Sequence, residues 1–229
     1  MTALSIVRIV HIGFGVVAFL VLPVPLFAKK GGRLHVSFGR VYAYVMGALA
    51  VTGVPLAARG LFFDDPARRA NALFLFFISL LASDAAWTGI RALRASPRRS
   101  LDWILPAMLL AGSIGLGALG LARGVVLHVF FALLGSLLAF GRLSSLRRAP
   151  GTRADAIARH IGGMGVASIT TVTAFLVTNA RHVFHLGAFN VFVWSAPAVV
   201  GAIAIGVVQR AWRARLTRPT TIDQSAGTP

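Results

Sequence analysis

The sequence predicts an all-α, polytopic membrane bundle of seven transmembrane helices built as a 3+1+3 parallel internal repeat. Three observations carry that prediction. Hydrophobic residues make up 57% of the 229 and charged residues only 13%. Seven apolar stretches reach or approach the roughly 20 helical residues that cross a hydrocarbon core about 30 Å thick. Basic residues collect in alternate loops rather than evenly along the chain.

The first stretch, 4–27, has the length of a span. It resembles a signal peptide only superficially: its charge is at Arg8, no small-x-small site precedes Lys29, and it has a counterpart later in the chain. The second, 36–58, follows the basic loop Lys29–Arg33 and the boundary residue His35; the third, 71–93, carries Asp84 well inside it. The fourth, 101–122, has small residues four apart (Ala107, Ala111 and Gly115; Ser113 and Gly117) and no ionisable side chain between Asp102 and Arg123. Those faces suit close helix packing, so the fourth stretch reads as a structural connector. The fifth, 124–141, is the shortest; the sixth and seventh run over 157–180 and 187–209. None alternates polar with apolar residues, which excludes a membrane barrel. Ser96-Pro97 and Pro150-Gly151 mark ordinary turns. The membrane domain therefore covers 1–218, with repeat one at 4–94, the connector at 101–122 and repeat two at 124–213. The polar tail 219–229 reads as disordered.

A net charge of +17 suggests nucleic acid until the charges are placed. Seventeen of the 23 Lys and Arg residues fall on one side of a seven-span topology, six on the other. The positive-inside rule then puts the amino terminus outside and the carboxyl terminus in the cytoplasm. Merging the fourth and fifth stretches would destroy the asymmetry. The basic face suits anionic lipid headgroups, and no interleaved aromatics accompany the arginines as nucleic-acid binding would require. Zero cysteines exclude disulfides, thiolate nucleophiles and cysteine-ligated clusters.

The repeat shows in spacing. Asn71 to Asn190 and Arg91 to Arg210 are both offsets of 119, His11 to His128 is 117, and His35 to His160 is 125. Helices four apart in sequence share one membrane orientation, hence a parallel repeat about an axis along the membrane normal.

Histidines sort by depth into an outer set (His11, His128, His182 and His185) and an inner pair (His35 and His160). Interfacial histidines are tolerated because the ring tip reaches headgroups. His11 and His128 fit that account less well, since intramembrane ionisable groups usually face a bundle interior. Two neutral imidazoles on facing helices can supply both axial ligands of a b-type haem. His11 with His128 forms the deeper candidate and the expected haem site; His35 with His160 forms an inner one. Gly15 and Gly39 follow their histidines by four residues and Gly163 by three, leaving room for a flat macrocycle. Zinc is the alternative: His182 and His185 are three apart, with His11, His128, Asp64 and Asp65 on the same side. Asp84 needs a cation or a proton, and Arg40 lies at comparable depth on the second stretch.

The pattern His11-x-x-x-Gly15-x-x-Ala18, then Lys30-Gly31-Gly32-x-x-His35-x-x-x-Gly39-Arg40-x-Tyr42, resembles the opening of a family of bacterial membrane proteins, domain of unknown function 2306. Arg159-His160-x-x-x-Met164 and Thr173-Ala174-Phe175 are similar too, while Val36 stands where that family leads one to expect arginine. The resemblance implies a multi-helix inner-membrane protein and brings no activity. Three functions stay open: a haem-binding redox protein, a small-solute carrier with a pocket near Asp84 and Arg40, and a structural subunit.

Overall fold

The computed structural model describes residues 2–63, 65–94, 97–148, 151–183, 185, 187 and 189–217, without the side chains of 66–68 and 181–183. Asp64, the tail 219–229 and the side chain of His182 lie outside the described residues.

The chain is all-helical: α1 (Ala3–Val21), α2 (Pro23–Phe27), α3 (Arg33–Phe63), α4 (Pro66–Arg91), α5 (Ser100–Arg123), α6 (Val126–Arg147), α7 (Arg153–Val183) and α8 (Val191–Thr217). Seven spans among the described residues are long and apolar enough to cross a membrane, with α1 and α2 together forming the first, Ala3–Phe27. Pro23 makes that break: it has no N–H to continue the α1 ladder and stands at the first position of α2. Gly124, at φ 65°, ends α5 in the left-handed conformation and turns the chain straight into α6. That turn separates the fourth and fifth spans. α6 then continues to Arg147, six residues past the sequence-predicted end at 141, because Arg142 finds an anion inside the protein instead of lipid.

The core differs from what the repeat suggests. A parallel repeat places the first, second, fifth and sixth spans at the centre and the connector outside. Instead α4 is central, packed against α3, α5 and α7. Of the most apolar window of its span 44% is buried, against 11% for the first span. Phe74, Phe77, Leu80 and Leu81 of α4 meet Leu109 and Leu116 of α5, Leu127 and Phe131 of α6, and Trp194 of α8. A second cluster joins Ala85 and Ala86 of α4 to Ala18 and Leu22, to Tyr42 and Met46 of α3, and to Ala167 of α7. The neighbours of corresponding helices also differ: α1 packs on α3 and α7, whereas α6 packs on α5 and α8. Large apolar side chains such as Leu20, Leu121, Leu133 and Ile203 stay exposed on the outer surface, where lipid would be their solvent.

One helix crossing positions the site described below. A Cβ at Gly163 of α7 would run into the Gly89 nitrogen and lie 2.7 Å from the Ala85 carbonyl oxygen of α4. Only glycine allows the two backbones to approach so closely. Gly163 thus serves this crossing and does not clear space for a macrocycle.

Candidate ligand site at the basic end

Helix ends leave carbonyls without partners, and at the basic end two histidines answer that need. α2 stops at Phe27, so the Pro25 carbonyl lacks a helical donor. His35 Nδ1 lies 2.9 Å from it, and Lys30 Nζ donates to it at the same distance. α4 stops at Arg91, and the orphan Gly89 carbonyl lies 2.8 Å from His160 Nδ1. A carbonyl oxygen only accepts, so both Nδ1 atoms carry the proton in the neutral rings and both Nε2 atoms keep a lone pair. Second-partner bonding of this kind fixes metal-ligating imidazoles in other proteins.

The two rings face each other with centroids 6.3 Å apart and planes at 72°. Two imidazoles bound on opposite sides of one metal, at bonds of about 2.0 Å, have centroids about 6 Å apart; a tetrahedral ion draws them to about 5 Å.

Both rings line a cavity of about 2210 Å³ that opens at this end between α2, α3, α4, α6, α7 and α8, with the start of α5 at its edge. Its inner wall is apolar, with Leu22, Ile90, Met164, Ile205 and Val208. Gly39, one turn beyond His35, also lines it, and nothing lies within 4 Å of where its Cβ would stand. Arg40, Arg94, Arg98, Arg148, Arg153 and Arg159 surround the space. Asp102 is the single acid lining it among the described residues.

Asp102 is already committed. Its carboxylate, 3% exposed, accepts from Trp87 Nε1 at 2.8 Å, from the Arg99 backbone N–H at 2.7 Å, and from Arg91 Nη2 at 3.2 Å. Arg142 Nη2 completes the set at 3.5 Å. In the sequence Asp102 reads only as the edge of the fourth stretch. An acid in the first turn of a helix was the available signal, but it points to capping and not to two distant arginines.

The cation acting on Asp84 is Arg142 of α6, not Arg40. Arg40 is exposed on α3 and looks into the cavity, so the expected Asp84–Arg40 pair does not form. Long basic side chains near helix ends reach for the polar boundary when they can.

The outer histidines occupy separate neighbourhoods. His11 Nδ1 lies 2.8 Å from Thr52 Oγ1, whose own proton goes to the Ala48 carbonyl, also at 2.8 Å. The hydroxyl therefore accepts from His11. Gly53 makes room for the ring, since a Cβ there would stand 2.9 Å from His11 Cε1 and 3.4 Å from Ser79 Oγ of α4. His128 is buried and stacks on Phe74 of α4, centroids 5.3 Å apart, with no partner for its Nδ1. His11 is thus held against α3, while His128 packs on α4. No ring contact joins them among the described residues. His185 is exposed, at φ 54°. Among the described residues no three His, Cys, Asp or Glu side chains converge on a metal-sized site. No family model, curated protein or solved structure matches the chain.

Proposed function

We propose that this is a bacterial inner-membrane protein holding one b-type haem between His35 and His160 at its cytoplasmic, basic end, as a one-electron carrier at that face. The supporting observation is the adjacent ring pair, each tied through Nδ1 to a helix-terminal carbonyl, which leaves each Nε2 its lone pair. Haem is an amphipathic dianion, and the cavity offers what it needs: an apolar wall for the macrocycle, open space at Gly39, and arginines for the propionates. When bound, the iron would supply the electron-accepting chemistry. The chain's own part would be to fix both tautomers, keep the two imidazoles adjacent and hold the carboxylates.

A reduced-minus-oxidised spectrum of detergent-purified protein, expressed with adequate haem, is expected to show the sharp bands of a six-coordinate b-type centre at one haem per chain. A colourless, folded preparation overturns the reading. The arginine surround would then favour a carrier or binder of a different amphipathic anion, such as a phospholipid.

The orientation rests on the charge asymmetry: the ends of α2, α4, α6 and α8 and the starts of α3, α5 and α7 share one end of the bundle, and that end carries most of the basic residues. A fluorescent reporter that matures only in the cytoplasm, fused after Arg218, is expected to be bright. Activity of a periplasm-specific enzyme at the same position would reverse the topology.

A further inference from the structure

Behind the cavity wall lies a group of buried polar atoms that the ligand pair does not use. Asp84 and Thr88 are one turn apart on the same face of α4. Asp84 is 6% exposed, and neither its Oδ1 nor Thr88 Oγ1 has a hydrogen-bond partner in the protein. Their neighbours on α4 behave differently. Ser79 and Ser83 return their hydroxyl protons to the Leu75 and Ser79 carbonyls, so neither is available to Asp84 as a donor. Arg142 brings a third orphan: its Nε is buried without a partner, while its Nη2 holds Asp102.

Buried polar atoms of this kind are costly to leave unsatisfied. Two of the three lie one turn apart on α4, and the third belongs to the Arg142 side chain of α6, whose charge acts on Asp84; ordered water satisfies such atoms. Arg142 and Asp102 line the cavity and are the charged groups that act on Asp84. On its remaining sides α4 meets uncharged packing: Tyr42, Val45 and Met46 from α3 and Ala167 from α7. Tyr42 spends its hydroxyl on Thr171 of α7 at 2.8 Å. His160 is the one titratable group α7 brings to this part of α4 among the described contacts, and its Nδ1 is held at Gly89.

We propose that Asp84, Thr88 and Arg142 enclose a hydrated proton-exchange site that opens to the basic-end cavity past Arg142. In the exchange a hydronium ion from the cavity gives its proton to an Asp84 carboxylate oxygen and leaves as water. The neutral carboxyl then donates its O–H to Thr88 Oγ1 or to the bridging water. In the charged state Asp84 leans on Arg142, which it shares with Asp102. Release reverses the step, and no redox change or second reactant is involved. The site is independent of the haem reading, since among the described residues no hydrogen bond joins its members to either histidine.

Infrared difference spectroscopy of the full chain in lipid nanodiscs tests this, with or without haem. Lowering the pH is expected to raise a protonated-carboxyl stretch that moves down in D₂O and disappears in Asp84→Asn. Thr88→Val removes the hydroxyl at nearly constant volume and is expected to shift the band without abolishing it. Should Asp84→Asn fail to fold, Asp84→Glu retains a carboxyl and is expected to move the band, which identifies it equally well. A folded protein with no titrating carboxyl band overturns the proposal. So does a band indifferent to both Asp84 variants, or one that never exchanges in D₂O, which would mean a sealed group.

Discussion

Asp102→Ala is expected to destabilise the basic end by about 3–5 kcal/mol, the usual cost of removing one partner from a buried ion pair. Two poorly exposed guanidinium groups would lose the carboxylate they share, since the Arg91 and Arg142 side chains are only 7% and 12% exposed. The α5 start would also lose its acceptor for the Arg99 N–H, and Trp87 its acceptor for the indole N–H. Asp102→Asn keeps the shape and one acceptor oxygen, so it is expected to fall between alanine and wild type. Arg213→Ala is the control: its bond to Asp155 at 3.6 Å joins side chains 58% and 38% exposed, and solvent screens such pairs. Thermal unfolding in detergent, followed by size-exclusion fluorescence, should show a large fall in midpoint for Asp102→Ala and almost none for Arg213→Ala. Equal midpoints in the two variants would mean that the network is solvated and not structural.

The spans were legible because length and apolar content are local properties; the turn at Gly124, a residue that reads as part of the fifth stretch, was not. Nor was packing order. Lipid is as apolar as leucine, so hydropathy does not say which face of a span turns inward, and nothing in the α4 sequence marks it as the centre. The matched spacing paired His35 with His160, and their rings lie with centroids 6.3 Å apart. It ranked the outer pair higher, on the ground that deeper imidazoles cost more to leave unpartnered. The structure meets that cost for His11 with a threonine hydroxyl 41 residues away. For His128 it supplies an aromatic face. Neither partner follows from spacing along one helix. Asp84 illustrates the same limit: its cation comes from α6, across the bundle, while the arginine nearest in depth turns out to the cavity.

If His35 and His160 hold a haem as proposed, His35→Ala and His160→Ala are each expected to remove the six-coordinate spectrum entirely, because each would delete one of the two imidazoles that hold it. What remains should be a broadened five-coordinate centre or apoprotein. His11→Ala and His128→Ala, which sit against Thr52 and Phe74, are expected to leave band positions and haem content unchanged. The control matters because His128 is buried and its replacement will lower stability, so haem content must be compared per folded chain. An intermediate effect is expected at Arg159 and Arg40. Removing one cavity arginine takes away a propionate contact but no iron ligand, so binding weakens several-fold while the bands stay sharp. The logic is a difference in kind: ligand loss changes the shape of the spectrum, whereas loss of an anchor changes only its occupancy. If His128→Ala abolishes the bands while His160→Ala spares them, the haem belongs at the opposite end. His35 and His160 are then no more than caps on two helix-terminal carbonyls.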